Sequence, residues 1–141
     1  MTREELQIQS LSLIKQSNRV ALQWCTGLGK SKIAIDMANY LADKEFKEHE
    51  EPFNVLLVVA ETAHKSNWKM EFDRWGLKTN NIVMECYASL KKYRNSYWDL
   101  VIFDEAHHLG SDLRMDVLTE LHAKNIILLS ATLPDQVMQA V

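Results

Sequence analysis

Charge of one sign, cysteine and long apolar runs are all scarce in this chain, and each scarcity excludes something. A formal net charge of −3 excludes a generally basic protein that coats nucleic acid, so any contact with DNA or RNA has to be local or be completed by other sequence. The two cysteines, Cys25 and Cys86, lie far apart with no metal-like spacing, and they point to thiols in a reducing compartment rather than to a disulfide framework. No uninterrupted apolar stretch is long enough to cross a bilayer, and the N-terminus is polar and helix-like rather than a secretory signal. The expected location is cytoplasmic, with no membrane partner. Internal repeats and low-complexity linkers are lacking as well. What remains is 141 residues, 47% hydrophobic and 25% charged, a composition that suits one soluble domain, 1–141, with a real core.

Strand-like and helix-like runs alternate along that domain. Thr2 with Glu5 resembles a capping box and opens a helix carrying Leu6, Leu11, Leu13 and Ile14. A first strand is expected at about 19–24, followed by a glycine-containing turn and a helix in which Ile33, Met37, Tyr40 and Leu41 keep helical spacing. The charged stretch 43–51 reads as a solvated helix end and loop. A buried strand at 55–60 precedes a helix at about 63–75 stopped by Gly76, and apolar runs at 82–86, 100–103 and 126–129 complete the set. Strands separated by helical segments form a mainly parallel sheet covered on both faces, an α/β fold.

Two segments in this pattern carry chemistry. In Thr26-Gly27-Leu28-Gly29-Lys30-Ser31 the glycines let successive backbone N–H groups turn inward, with the positive end of the following helix behind them. That is a cradle for a polyphosphate: Lys30 reaches the β/γ-phosphates and Ser31 ligates Mg²⁺. The full phosphate-loop pattern has a glycine where this chain has Trp24. The second segment is Asp104-Glu105-Ala106-His107, delivered by the apolar run Leu100-Val101-Ile102-Phe103 to the strand end where open α/β sheets bind ligands. Asp104 there can hold Mg²⁺ through its water shell, while Glu105 orients and deprotonates an attacking water.

Together these motifs make the chain resemble the first RecA-like lobe of a superfamily 2 helicase or translocase of the DExH type, a P-loop NTPase lobe. Residues 26–31 resemble motif I, residues 104–107 motif II, and Ser130-Ala131-Thr132 motif III. Within the superfamily, Asn67-Trp68-Lys69-Met70-Glu71-Phe72, Tyr87-Ala88-Ser89-Leu90 and Trp98-Asp99-Leu100-Val101-Ile102 look most like the Swi2/Snf2 and restriction-enzyme translocases. The resemblance implies ATP and Mg²⁺ as ligands, with residues 26–31 on the nucleotide and Lys30, Asp104 and Glu105 in the catalytic roles. It implies that Gln7, near Arg3, reads adenine, and that His107 couples the nucleotide state to Ser130 and Thr132. Expected partners are nucleic acid, DNA rather than RNA, and a second RecA-like lobe, supplied by the full-length protein or by a partner chain and absent from these residues. Cys25 and Trp24 stand where the family favours small residues or proline, and Ala60-Glu61-Thr62 replaces the usual proline-threonine of motif Ia. The rival from another class is a solitary nucleotide-dependent interaction module without turnover.

Other features have alternative readings. His107 and His108 lack the spacing that aims two imidazoles at one zinc. Thr132 can also cap a helix begun by Pro134. Trp68, Phe72 and Trp75 form a helical stripe, first of all a burial signal and secondly a base-stacking surface. Lys91-Lys92-Tyr93-Arg94 is either solvated surface or a phosphate-backbone contact.

Overall fold

A computed structural model describes residues 19–23, 30–49, 53–77, 81–106, 117 and 120–130. Five strands form one wholly parallel sheet: β1 (Arg19–Gln23), β2 (Val55–Val59), β3 (Ile82–Cys86), β4 (Tyr97–Asp104) and β5 (His122–Ser130), in the spatial order β1-β5-β4-β2-β3. Among the described residues, the helices α1 (Lys30–His49) and α2 (Thr62–Trp75) and a 3₁₀ segment (Tyr87–Tyr93) lie between strands. The α/β architecture and the parallel sheet agree with the sequence reading. The helix expected after Thr2 lies outside the described residues.

Strand burial explains why the sheet is covered on both sides. All five residues of β2 are buried, as parallel strands flanked by helices require. Val55, Leu57, Val59, Leu100, Ile102, Ile127 and Leu129 share a cluster with Ile33, Met37 and Leu41 of α1 and Trp68 of α2. The alternate residues Leu56, Val58, Val101, Phe103, Ile126 and Leu128 pack with Tyr87, Leu90, Ala106, Val117 and Leu121 on the other face. Each fully buried aliphatic or Phe side chain contributes about 1.5–3 kcal/mol relative to exposure.

Several boundaries differ from the sequence expectation. Helix α1 continues through the charged stretch to His49, because its apolar face extends to the buried Leu41 and Ala42 and the charged residues beyond need no core. Strand β4 starts at Tyr97 and β5 at His122, before the apolar runs expected to define them. Tyr97 pairs with His122 and Trp98 with Ala123, so ladder hydrogen bonds carry the strands beyond the hydrophobic segment. Gly76 ends α2 as expected: it adopts φ 78°, its N–H donates to the Phe72 carbonyl at 2.8 Å, and its own carbonyl accepts from Asn39 Nδ2 at 2.7 Å.

Strand order places the site. From β1 the chain passes over two strand positions to β2 and outward to β3, then returns to β4 and β5. The element after β1 packs on the first face and the residues after β4 on the second. Their carboxyl ends therefore flank a topological switch point, with β5 between them.

Candidate functional site at the carboxyl edge of the sheet

Three chain segments distant in sequence meet at this edge. Gln23 ends β1 beside Ser130 of β5, and Asp104 ends β4 beside Leu129. Lys30 is the first residue of α1 and Ser31 lies half-buried in its first turn. That turn holds no acidic residue, so nothing in it offsets the partial positive charge of a 20-residue helix. An anion is favoured at such a terminus.

Asp104 is half-buried and held on every polar atom of its acceptor set. Its Oδ2 accepts from Trp68 Nε1 at 3.0 Å, its Oδ1 from the Glu105 N–H at 3.0 Å, and its carbonyl from the Tyr87 hydroxyl at 2.7 Å. Glu105, also half-buried, takes φ 52°, a left-handed conformation uncommon for a residue with a side chain of this kind. The turn at Glu105 redirects the chain immediately after the strand. Ala106 then packs into the second face.

For Mg²⁺ the donor set fits. This ion keeps several waters and takes one or two carboxylates plus substrate phosphates rather than an all-protein cage. One oriented carboxylate, Asp104, and one hydroxyl in the first helical turn, Ser31, match that demand. The remaining sequence-derived site residues are placed less fully. Lys30 and Ser130 are described through their backbone alone, and Gln7, Thr26, Gly27, Leu28, Gly29, His107 and Thr132 lie outside the described residues.

Two features of the sequence sort differently in three dimensions. Of the aromatic stripe, Trp68 is buried and Phe72 packs against the core, with ring centroids 5.7 Å apart. Trp75 departs from the burial expectation: it is 38% exposed, donates to Glu71 at 2.6 Å, and carries Lys32 at 5.2 Å and Arg74 at 4.8 Å from its ring. At the basic cluster, Lys91 and Lys92 are exposed, whereas Arg94 pairs with Glu120 at 2.8 Å and the Tyr93 hydroxyl donates to Glu85 at 3.2 Å. Half of that cluster is thus committed to internal contacts. Partial burial pushes the Glu85 carboxyl up, but the Cys86 N–H, the Tyr93 hydroxyl, Lys65 and Lys92 outweigh it and leave the carboxyl below its ordinary value. Burial and the Glu85 carboxylate raise Tyr93. Cys86 is a free thiol 3.7 Å from the Thr62 hydroxyl.

Sequence reasoning missed the supports of Asp104. Trp68 and Tyr87 lie in two of the three segments noted for likeness to the translocases, yet nothing in their spacing indicates that both reach the same residue.

A wholly parallel sheet with a strand-end Asp-Glu turn at its carboxyl edge is the architecture of a RecA-like lobe of the superfamily 2 helicase and translocase class. Residues 2–95 match the model of the Type III restriction enzyme res subunit, and the chain belongs to that family. No curated protein matches the chain in sequence. Among solved structures it is similar to the Sulfolobus solfataricus SWI2/SNF2 ATPase core in complex with dsDNA, with TM-score 0.72 and 19% identity over 96% of this chain and 35% of that one. The Pyrococcus furiosus Hef helicase domain gives TM-score 0.70 and 19% identity over 96% and 34%. A nuclease-deletion mutant of the Type ISP restriction-modification enzyme LlaGI, in complex with a DNA substrate mimic, gives 0.60 and 16% over 92% and 17%. At these identities the likeness establishes the fold. The chain spans about a third of the first two structures.

Proposed function

We propose that this lobe is the nucleotide-binding half of a DNA-dependent ATPase motor that hydrolyses ATP to ADP and phosphate. The reading is supported by the position of the Asp104-Glu105 turn at the carboxyl end of β4, with the end of β5 between it and the end of β1, the strand that α1 follows in the chain. In this reading Lys30 and the loop amides of residues 26–29 hold the β- and γ-phosphates, and Ser31 and Asp104 hold Mg²⁺. When bound, Mg²⁺ neutralises charge that develops on the phosphate oxygens. Glu105 orients the attacking water and takes its proton. Gln7 reads adenine, and His107 with Ser130 and Thr132 couples the nucleotide state to movement. A second RecA-like lobe, in the same protein or in a partner chain, supplies an arginine to the transition state and closes the cleft. DNA as the track is consistent with the dsDNA held by the Swi2/Snf2 core of similar fold.

The test is nucleotide binding by calorimetry. Wild type should bind ADP with Mg²⁺, and Lys30→Ala should lose most of the affinity, because several phosphate oxygens lose their cationic partner. Equal binding by the two proteins would refute the site.

A further inference from the structure

Two aromatic side chains from opposite faces of the sheet converge on Asp104. Trp68, midway along α2 and 5% exposed, donates its indole N–H to the carboxylate. Tyr87, the first residue of the 3₁₀ segment and 2% exposed, donates its hydroxyl to the Asp104 carbonyl. An indole N–H is a donor only, and once buried it needs an acceptor. Trp68 spends it on Oδ2 of an acid 36 positions away.

The geometry separates the two roles. Trp68 packs in the core with Phe72 beside it, so its donor is fixed before any ligand arrives. With Oδ1 accepting from the Glu105 N–H and Oδ2 from Trp68, rotation of the carboxylate breaks two charge-assisted bonds. Each carboxylate oxygen still has acceptor capacity left. Tyr87 acts on the main chain instead: with its hydroxyl on the carbonyl and Oδ1 on the following N–H, the peptide between Asp104 and Glu105 is pinned at both ends. That peptide leads into the left-handed turn at Glu105.

We propose that Trp68 is a positioning residue for the Mg²⁺-nucleotide complex, holding the Asp104 carboxylate in the orientation that receives the metal. This rests on the role of Asp104 proposed above. Groups that orient a metal-binding carboxylate typically change metal affinity 10–100-fold when removed. A residue needed only for packing would be replaced adequately by another large apolar ring.

Calorimetric ADP binding, measured with EDTA and across a Mg²⁺ series, distinguishes these cases for wild type, Trp68→Phe and Tyr87→Phe. We expect Trp68→Phe to keep metal-free ADP binding and to need on the order of 10-fold more Mg²⁺. Tyr87→Phe loses a hydrogen bond to the same residue but not to its carboxylate, and should keep the wild-type Mg²⁺ dependence. An unchanged Mg²⁺ dependence in Trp68→Phe, or an equal shift in both variants, would overturn the inference while leaving the nucleotide site intact. ADP binding that is insensitive to Lys30→Ala would instead remove the site and this inference with it. If Trp68→Phe does not fold, the assigned indole N–H resonance of wild-type Trp68 decides. A shift when Mg²⁺ joins bound ADP supports the proposal, and no response to the metal overturns it.

Discussion

The two ends of the sheet hold the same kinds of residue in different settings. At the amino end, Asp99 is consumed by structure: its Oδ2 accepts from the Asn54 N–H at 2.7 Å, and its carbonyl accepts from the buried Asn125 side chain at 2.9 Å. The loop there is tied by Asn95 N–H to the Glu120 carbonyl, by His122 N–H to the Ser96 carbonyl, and by Arg94 to Glu120. At the carboxyl end, Asp104 and Glu105 are half-buried and presented at the edge. Among the described residues, each end also contains one side-chain-bearing residue with positive φ, Asn95 at 62° and Glu105 at 52°. Asparagine adopts that conformation more readily than glutamate. The amino end therefore resolves its local demands by choice of residue, whereas the carboxyl end keeps a strained acid at the position proposed for the water-activating base.

The sharpest way to break this comparison is Glu105→Gln in the protein with its second lobe. Glutamine keeps the shape but cannot accept the proton of water. Hydrolysis should fall by about 10²–10⁴-fold, the range of general acid-base contributions, while Mg²⁺-nucleotide binding stays. Phosphate release and calorimetry measure the two. Wild-type turnover by the variant would end the assignment of Glu105 as the base.

A mirror-image experiment belongs at the amino end. Asn125→Ala removes the donor to the Asp99 carbonyl from a buried position, and an unsatisfied buried group costs about 1–3 kcal/mol. Thermal unfolding should lower Tm by several degrees, with ADP affinity unchanged. A loss of affinity without loss of stability would show that the two ends are not divided as described.

How far the sequence discloses this division depends on the range of the signal. Periodicity and apolar runs locate every described strand and both helices, because burial in a doubly covered sheet writes itself into consecutive residues such as Val55–Val59. The chemistry-bearing segments are local as well, so Lys30-Ser31 and Asp104-Glu105 are readable as short motifs. What escapes is pairing at a distance. The contacts of Trp68 and Tyr87 with Asp104 depend on strand order, which no stretch of residues encodes. The exposure of Trp75 escapes for a related reason: seven positions from Trp68 it has the spacing of a buried stripe, yet it lies at the last turn of α2, where Lys32 and Arg74 cover its ring instead of the core.

Strain at the carboxyl end has its own measurement. Glu105→Ala and Glu105→Gly both delete the side chain and its interactions, but only glycine takes φ 52° without a steric penalty. The glycine variant should be more stable than the alanine variant by about 1 kcal/mol. At Asn95, with φ 62°, the same Gly and Ala pair should differ by a similar amount, because the penalty belongs to the backbone conformation and not to the residue replaced. Equal stabilities of the Gly and Ala variants at Glu105 would remove the strain argument.

The smallest effect sharpens the comparison within the carboxyl end itself, where Glu85 lies one residue before the end of β3 and Asp104 ends β4. Glu85 is used structurally: it accepts from the Cys86 N–H at 3.1 Å and from the Tyr93 hydroxyl, with Lys65 at 3.7 Å. Its folded-state carboxyl lies below the ordinary 4.5, so the stabilisation is present above that pH and is lost as pH falls through the folded value. Tyr93 runs the other way, being raised above 10.0; its stabilisation is complete below that pH and is lost as pH rises through the folded value. Glu85→Gln removes the contribution of Glu85 to the acid-side dependence and lessens the alkaline contribution of Tyr93, since burial still raises Tyr93 when the carboxylate is gone. Against wild type, the variant should therefore have a lower Tm near neutrality and a flatter pH profile, most visibly below pH 4.5. Parallel profiles for the two proteins through the acid range would show that Glu85 stabilises nothing, and that the acids of this edge do not divide into structural and chemical ones.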